Sequence, residues 1–299
     1  MTIRPGMAAL AALLALSAAP AAHAQAPRAT VEGGSVVGVK TGDVASFKGI
    51  PFAAPPVRDL RWRPPQPVAA WTGDLVADRF APMCLQPLRA KNSVFYLGEE
   101  PSSEDCLYLN VWSTARPGDR RPVMVFVYGG GWTIGSASLP LYDGEALARK
   151  GAVVVSFNYR VGALGFLAHP ELTAEGKGAS GNYGLMDMVA ALAWVKANIA
   201  QFGGDPGNVT LYGQSAGSVA IALLQAAPAA RGLFHRAIGQ SGGYNLGGPL
   251  ATLADGEKKG AEAATRLKAP SLAQLRALPG DAIVNGDNNQ RPVVDGRVL

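Results

Sequence analysis

Val209-Thr210-Leu211-Tyr212-Gly213-Gln214-Ser215-Ala216-Gly217-Ser218 is the stretch that decides the fold. A β-prone run leads directly into Gly-x-Ser-x-Gly, and residues 216–225 leave it as a strongly apolar helical pattern. Three fixed common residues in five recur by chance, so the pentapeptide alone is weak. Its setting between a strand and a helix is the specific part, because that is the context of a nucleophile elbow. The turn is so tight that side chains in place of Gly213 or Gly217 would strike the neighbouring strand and helix. Ser215 would then stand at the C-terminal edge of a sheet, beside the positive end of a helix dipole.

Outward from the elbow, further apolar runs of strand length occur at 107–112, 123–128, 152–157 and 237–238. Continuous Val-rich runs suit strands covered on both faces. Between them, Leu185, Met188, Val189, Leu192, Val195, Ile199 and Phe202 fall at spacings of three and four, which predicts one apolar helix face ended by Gly203-Gly204. Residues 254–269 predict a more polar helix, and Ser271 with Gln274 predicts a capping box opening a short helix to Leu278. Short pieces at 36–39 and 44–47 predict a small N-terminal antiparallel sheet. The Pro-rich stretch 51–67, interleaved with Phe52, Leu60 and Trp62, predicts an ordered surface loop. Strands alternating with helices give an α/β fold with a mostly parallel central sheet flanked by helices.

A serine hydroxyl is a poor nucleophile at neutral pH, so a site built on it needs oxyanion donors and a base. Tyr128-Gly129-Gly130-Gly131-Trp132, directly after the 123–128 strand, supplies backbone N–H groups that no Cβ shields. With the N–H of Ala216 they would form an oxyanion hole, each donor contributing roughly 3 kcal/mol in the transition state. A phosphate loop is the rival reading of such glycines, and it lacks the required Lys-Ser/Thr.

Residues 1–24 carry the marks of an export signal. Arg4 gives the positive start, 7–19 the apolar core and Ala22-His23-Ala24 the cleavage site, so secretion or a periplasmic location is expected. The apolar run is too short for a stable membrane anchor. A hydrophobic fraction of 48% with 16% charged residues fits one well-buried domain over 25–299. The net charge of +5 is scattered, without an arginine-rich stretch, which argues against nucleic acid as a partner. The two cysteines, Cys84 and Cys106, lie in the exported part; an oxidising compartment favours a bridge over two separate buried thiols. No His stands at metal-ligand spacing from them, and no metal or organic cofactor is implied.

The motifs together resemble the type-B carboxylesterase/lipase family, which includes cholinesterases and bacterial carboxylesterases. The run from Phe202-Gly203-Gly204-Asp205-Pro206 through Gly217 matches the long nucleophile signature of that family, and Glu104-Asp105-Cys106-Leu107-Tyr108-Leu109-Asn110-Val111-Trp112 its second signature, although Thr114 departs from the usual residue. Phe47-Lys48-Gly49-Ile50-Pro51-Phe52-Ala53, Asn158-Tyr159-Arg160-Val161-Gly162-Ala163-Leu164-Gly165-Phe166 and Gly181-Asn182-Tyr183-Gly184-Leu185-Met186-Asp187 also match. The resemblance implies an α/β-hydrolase fold and hydrolysis of a small-molecule carboxylic ester through acyl-Ser215. It also implies oxyanion donors at Gly130, Gly131 and Ala216, and pairing of Cys106 with an earlier cysteine, here Cys84.

The resemblance further implies an acid and then a His after the nucleophile. Of the three histidines, His23 falls in the leader, His169 reads as a loop residue before a short helix, and His235 as a surface or helix-end residue. Residues 292–299 resemble a mid-domain segment. The expectation is therefore that 25–299 form the N-terminal portion of the domain, with the last strands, the triad acid and the His beyond Leu299. A non-catalytic cholinesterase-like binding domain and an inactive fragment are the alternatives. Glu104 and Asp105 precede Ser215 and read as structural ion pairing, with an arginine such as Arg160 as partner. Ser218 and Ser241 read as structural hydroxyls near the nucleophile.

Overall fold

The computed structural model describes residues 26–92, 101–243 and 249–299; the leader expected at 1–24 lies outside them. A seven-stranded sheet organises the molecule. It consists of β3 (Val39–Thr41), β4 (Val44–Pro51), β8 (Tyr108–Ser113), β9 (Arg121–Val127), β10 (Val153–Phe157), β11 (Gly204–Gln214) and β12 (Arg236–Gln240), in the order β12-β11-β9-β10-β8-β4-β3. Pairing is parallel from β12 through β11 and β9 to β10, and antiparallel from β10 through β8 and β4 to β3. The parallel half carries the elbow. Within the antiparallel half, β3 and β4 are joined by a tight turn in which Gly42 takes φ +62°.

A smaller sheet of β1 (Arg28–Val31), β2 (Gly34–Val37) and β5 (Asp74–Val76) lies N-terminal, with β1 antiparallel and β5 parallel to β2. The run at 36–39 is split at Gly38, where a Cβ would sit 2.3 Å from the Ser46 carbonyl oxygen. Two-residue pairs, β6 (Met83–Cys84) with β7 (Ser102–Ser103) and β13 (Ala251–Thr252) with β14 (Val293–Val294), tie loops together.

Of the helices α1 (Glu145–Ala148), α2 (Gly162–Phe166), α3 (Pro170–Glu175), α4 (Tyr183–Asn198), α5 (Ala216–Ala226), α6 (Leu253–Arg266), α7 (Leu272–Ala277) and α8 (Gly280–Gly286), α4 and α5 supply most of the helical side chains in the main core. The predicted face of α4 is buried at Leu185, Met188, Leu192 and Val195. A 3₁₀ turn, Ile199–Phe202, follows, and Gly203 closes it at φ +80°. The Ser271–Gln274 capping box forms as read. An unread second box, Thr252 with Asp255, starts α6 slightly earlier than predicted. Among the described residues no helix is long and apolar enough to cross a membrane.

Residues 51–67 are ordered as expected, because Trp62 is buried and its indole N–H donates to the Ala163 carbonyl at 2.8 Å. A disulfide joins Cys84 to Cys106 across 22 residues, a constraint worth about 3 kcal/mol in the chain-entropy model. At the sheet's edge an expectation fails. β12 is exposed at every position, with Ile238 45% exposed, where a strand covered on both faces was predicted. It is the outermost strand of the sheet, so its outer edge has no pairing partner among the described residues.

Candidate active site

Ser215 stands between the last residue of β11 and the first of α5, with φ 56° and ψ −124°. That backbone is costly for a residue with a Cβ, by roughly 1–3 kcal/mol, and persists only where surroundings enforce it. They do so here. The Ser215 N–H donates to the Gln240 carbonyl of β12 at 2.8 Å, and the Ser215 carbonyl accepts from Val219 N at 3.1 Å to begin α5. Both glycines of the motif are required by space. A Cβ on Gly213 would lie 2.7 Å from the Val127 carbonyl oxygen, and one on Gly217 only 2.1 Å from the same atom.

The glycine run after β9 lies against the elbow. A Cβ on Gly129 would meet the Gln214 carbonyl oxygen at 2.4 Å and Ser215 Cβ at 3.0 Å. Gly130 and Gly131 take φ +129° and +61°, and the Gly130 carbonyl accepts from Thr133 N and Ile134 N, both at 3.2 Å. A stacked pair of tyrosines anchors the loop's start. Tyr128 Oη donates to the Tyr159 carbonyl at 3.0 Å, and Tyr159 Oη to the Tyr128 carbonyl at 2.8 Å. Burial pushes both phenols well up, so they remain neutral hydrogen-bonding braces. Tyr212 beneath the elbow is likewise pushed up to about 12 by burial. Among the described residues no oxygen takes the N–H of Gly130, Gly131 or Ala216. These donors are unspent beside a strained serine.

A cleft of about 610 Å³ opens above them, lined among others by Gly131, Trp132, Ser215, Ala216, Lys259 and Arg291. Neither described histidine lines it. His169 is buried as the N-cap of α3, its Nδ1 accepting from Glu171 N at 3.2 Å. His235 precedes β12, where its N–H donates to the Val209 carbonyl at 2.8 Å and its Nδ1 accepts from Val209 N at 3.2 Å. Val209 is six residues upstream of Ser215 on β11, roughly 20 Å along a strand.

The residues match a known family. The model of the carboxylesterase family covers residues 21–284. The chain belongs to the carboxylesterase family. It is 49% identical over 279 residues to fumonisin B1 esterase of Sphingopyxis macrogoltabida, covering 90% of this chain and 50% of that protein. It is 46% identical to the para-nitrobenzyl esterase of Bacillus subtilis, over 71% of this chain and 43% of that protein. With chicken (Gallus gallus) acetylcholinesterase it shares 46%, over 73% of this chain and 29% of that protein. The crystal structure of a Geobacillus stearothermophilus carboxylesterase superposes with a TM-score of 0.81 at 38% identity, over 91% of this chain and 57% of the other. The chain thus spans about half the length, or less, of the carboxylesterases it matches, and its fold is that of the α/β-hydrolases.

The carboxylesterase frame also relocates several residues. Glu104 pairs with Arg61 (2.5 Å), not with Arg160 as expected. Arg160 instead clamps Asp187 of α4, while Asp105 accepts from Tyr108 Oη at 2.9 Å. Arg61 lies in the Pro-rich loop, 43 residues from Glu104, so no local pattern marks the pair. Ser218 is buried beneath β12, its Oγ 2.5 Å from where a Cβ on Gly239 would be, and Ser241 lines the cleft at φ 53°. Lys259 and Arg291 had no motif to mark them; only the folded chain brings them to Ser215.

Proposed function

We propose that this chain carries the nucleophile and oxyanion hole of a carboxylic ester hydrolase, with Ser215 attacking and the N–H groups of Gly130, Gly131 and Ala216 receiving the oxyanion. The observation that carries the reading is the strained Ser215 backbone, held at the floor of a cleft with three unspent donors beside it. Ser215 Oγ adds to the ester carbonyl carbon while the C=O electron pair moves onto oxygen. Collapse breaks the bond to the alcohol oxygen, which leaves with a proton. Water then attacks acyl-Ser215, releasing the acid and restoring the hydroxyl. Electrostatic stabilisation at the oxyanion is the largest single contribution such a site makes.

Turnover of unactivated esters also requires a base beside Ser215, and among the described residues no imidazole is placed there. Without one, catalysis falls by orders of magnitude although acylation by activated esters persists. The names of the relatives share an ester bond and differ in the rest of the molecule, so ester hydrolysis is the part that transfers. We further propose that 25–299 form a portion of the α/β-hydrolase domain behind an export leader; the Cys84–Cys106 bridge fits an oxidising compartment. A non-catalytic binding domain would have no need to hold Ser215 in a costly conformation.

Incubation with p-nitrophenyl acetate should place one acetyl group on the Ser215 peptide, read by mass spectrometry, and none on the Ser215→Ala chain. Acetylation spread over surface lysines and unchanged by that substitution would remove the nucleophile assignment.

A further inference from the structure

Two cations occupy the candidate cleft, and the loop that carries one of them is firmly built. Asn288 Nδ2 donates to the Thr133 carbonyl at 2.8 Å, pinning the segment after α8 to the glycine loop. Further along, Val293 is clasped by Asn182, which accepts from Val293 N at 3.1 Å and donates to its carbonyl at 2.8 Å. Asp287 further braces the turn by accepting from Asn289 N and Gln290 Nε2, both at 3.1 Å, and from Arg266 Nη2 at 2.5 Å. Between these fixed points Arg291 projects over the glycines, so that a Cβ on Gly131 would lie 3.7 Å from its Nη1.

The guanidinium's one hydrogen bond among the described residues is to Asn289 Oδ1, at 3.3 Å. No carboxylate lies within ion-pair distance of Arg291 or Lys259 among the described residues. Asp255, one turn before Lys259 on α6, is committed to the Thr252 cap. Partial burial pulls Arg291 below its ordinary value, yet a guanidinium stays charged in proteins. A guanidinium held beside donors for an oxyanion, with no carboxylate partner among the described residues, is arranged for an anion that arrives with the substrate. The guanidinium fork matches a carboxylate in two parallel hydrogen bonds, which a lysine point charge does not.

We propose that the cleft selects esters that carry a free carboxylate, of the type of a dicarboxylic acid monoester, with Arg291 binding that carboxylate and Lys259 adding to the local field. The substrate part of this inference rests on the Ser215 reading; the anion site itself does not.

A binding measurement on the Ser215→Ala chain separates the two. Monomethyl succinate should bind at least about tenfold tighter than methyl butyrate, its uncharged counterpart, by calorimetry, as expected for a charge-assisted contact. Adding Arg291→Gln should erase that preference, and Arg291→Lys should restore part of it, which guards against a variant that merely misfolds. Equal affinity for the two esters, or a preference that survives Arg291→Gln, overturns the proposal. In the unsubstituted chain, mono-p-nitrophenyl succinate should acylate Ser215 at least about tenfold faster than p-nitrophenyl butyrate. If neither ester acylates Ser215 while the binding preference holds, the nucleophile reading falls and the anion site stands.

Discussion

Gly217→Ala should slow covalent labelling of Ser215 at least about a hundredfold, because displacing a catalytic atom by about 1 Å has costs of that order. Gly217 is the second residue of α5, and its backbone is helical. At an ordinary helix position glycine to alanine stabilises by about 1 kcal/mol. Here the new methyl would sit 2.1 Å from the Val127 carbonyl oxygen and 2.7 Å from that of Tyr128, both backbone atoms at the end of β9. Those atoms are fixed by the parallel pairing of β9 with β10 and β11 and cannot retreat as a flexible side chain would. The first turn of α5 must move away instead, taking Ala216 N–H and Ser215 Oγ from the glycine loop. The expected stability change is a loss of about 1–3 kcal/mol, the usual cost of overpacking, opposite in sign to the helix-propensity effect. A stabilised variant labelled at the normal rate would contradict the close approach of α5 to β9.

Asp187→Asn is expected to lower folding stability by about 3–5 kcal/mol, seen as a reduced urea midpoint with an unchanged slope. The Asp187 side chain has no exposure, and that of Arg160 is 4% exposed. The carboxylate accepts three hydrogen bonds from Arg160: its backbone N–H at 3.0 Å, Nε at 2.8 Å and Nη2 at 2.7 Å. An amide of the same shape keeps one acceptor oxygen and presents an NH₂ to a buried guanidinium, which is left charged and unpaired. Strain at this point spreads toward the site, because Gly162, two residues after Arg160, donates to the Trp132 carbonyl at 2.6 Å. A loss below about 1 kcal/mol would mean that water reaches Arg160 and that the pair is not enclosed.

What the sequence made legible was local. The elbow is written in ten consecutive residues, so its strand, turn and helix are legible from chain neighbours, although distant contacts to Val127 and Gln240 hold the turn in place. The end of α4 at Gly203 and the Ser271–Gln274 box are similarly short-range, each needing only a glycine at positive φ or a side chain within one turn. The charged groups were less legible, because ion-pair partners are chosen by packing. Glu104 finds Arg61 across 43 residues, and Arg160 finds Asp187 across 27, although all four lie in or near recognisable motifs. Arg291 was beyond reach altogether. It reaches the cleft through Asn288 on Thr133 and Val293 on Asn182, contacts spanning 155 and 111 residues that leave no periodic trace. The exposure of β12 also lay outside the reading, since Ala237 and Ile238 are apolar in sequence whether or not anything covers them.

Ser215 is proposed as a nucleophile that faces an oxyanion hole of Gly130, Gly131 and Ala216. Fluorophosphonate labelling tests it most directly, because the phosphonyl oxygen occupies the oxyanion position and the adduct needs no later turnover by a base. With the folded chain, one phosphonyl adduct should map to the peptide containing Gly213-Gln214-Ser215-Ala216-Gly217 and be absent from Ser215→Ala. A chain shown to be folded by its cooperative urea transition, yet unlabelled at Ser215, would contradict the claim.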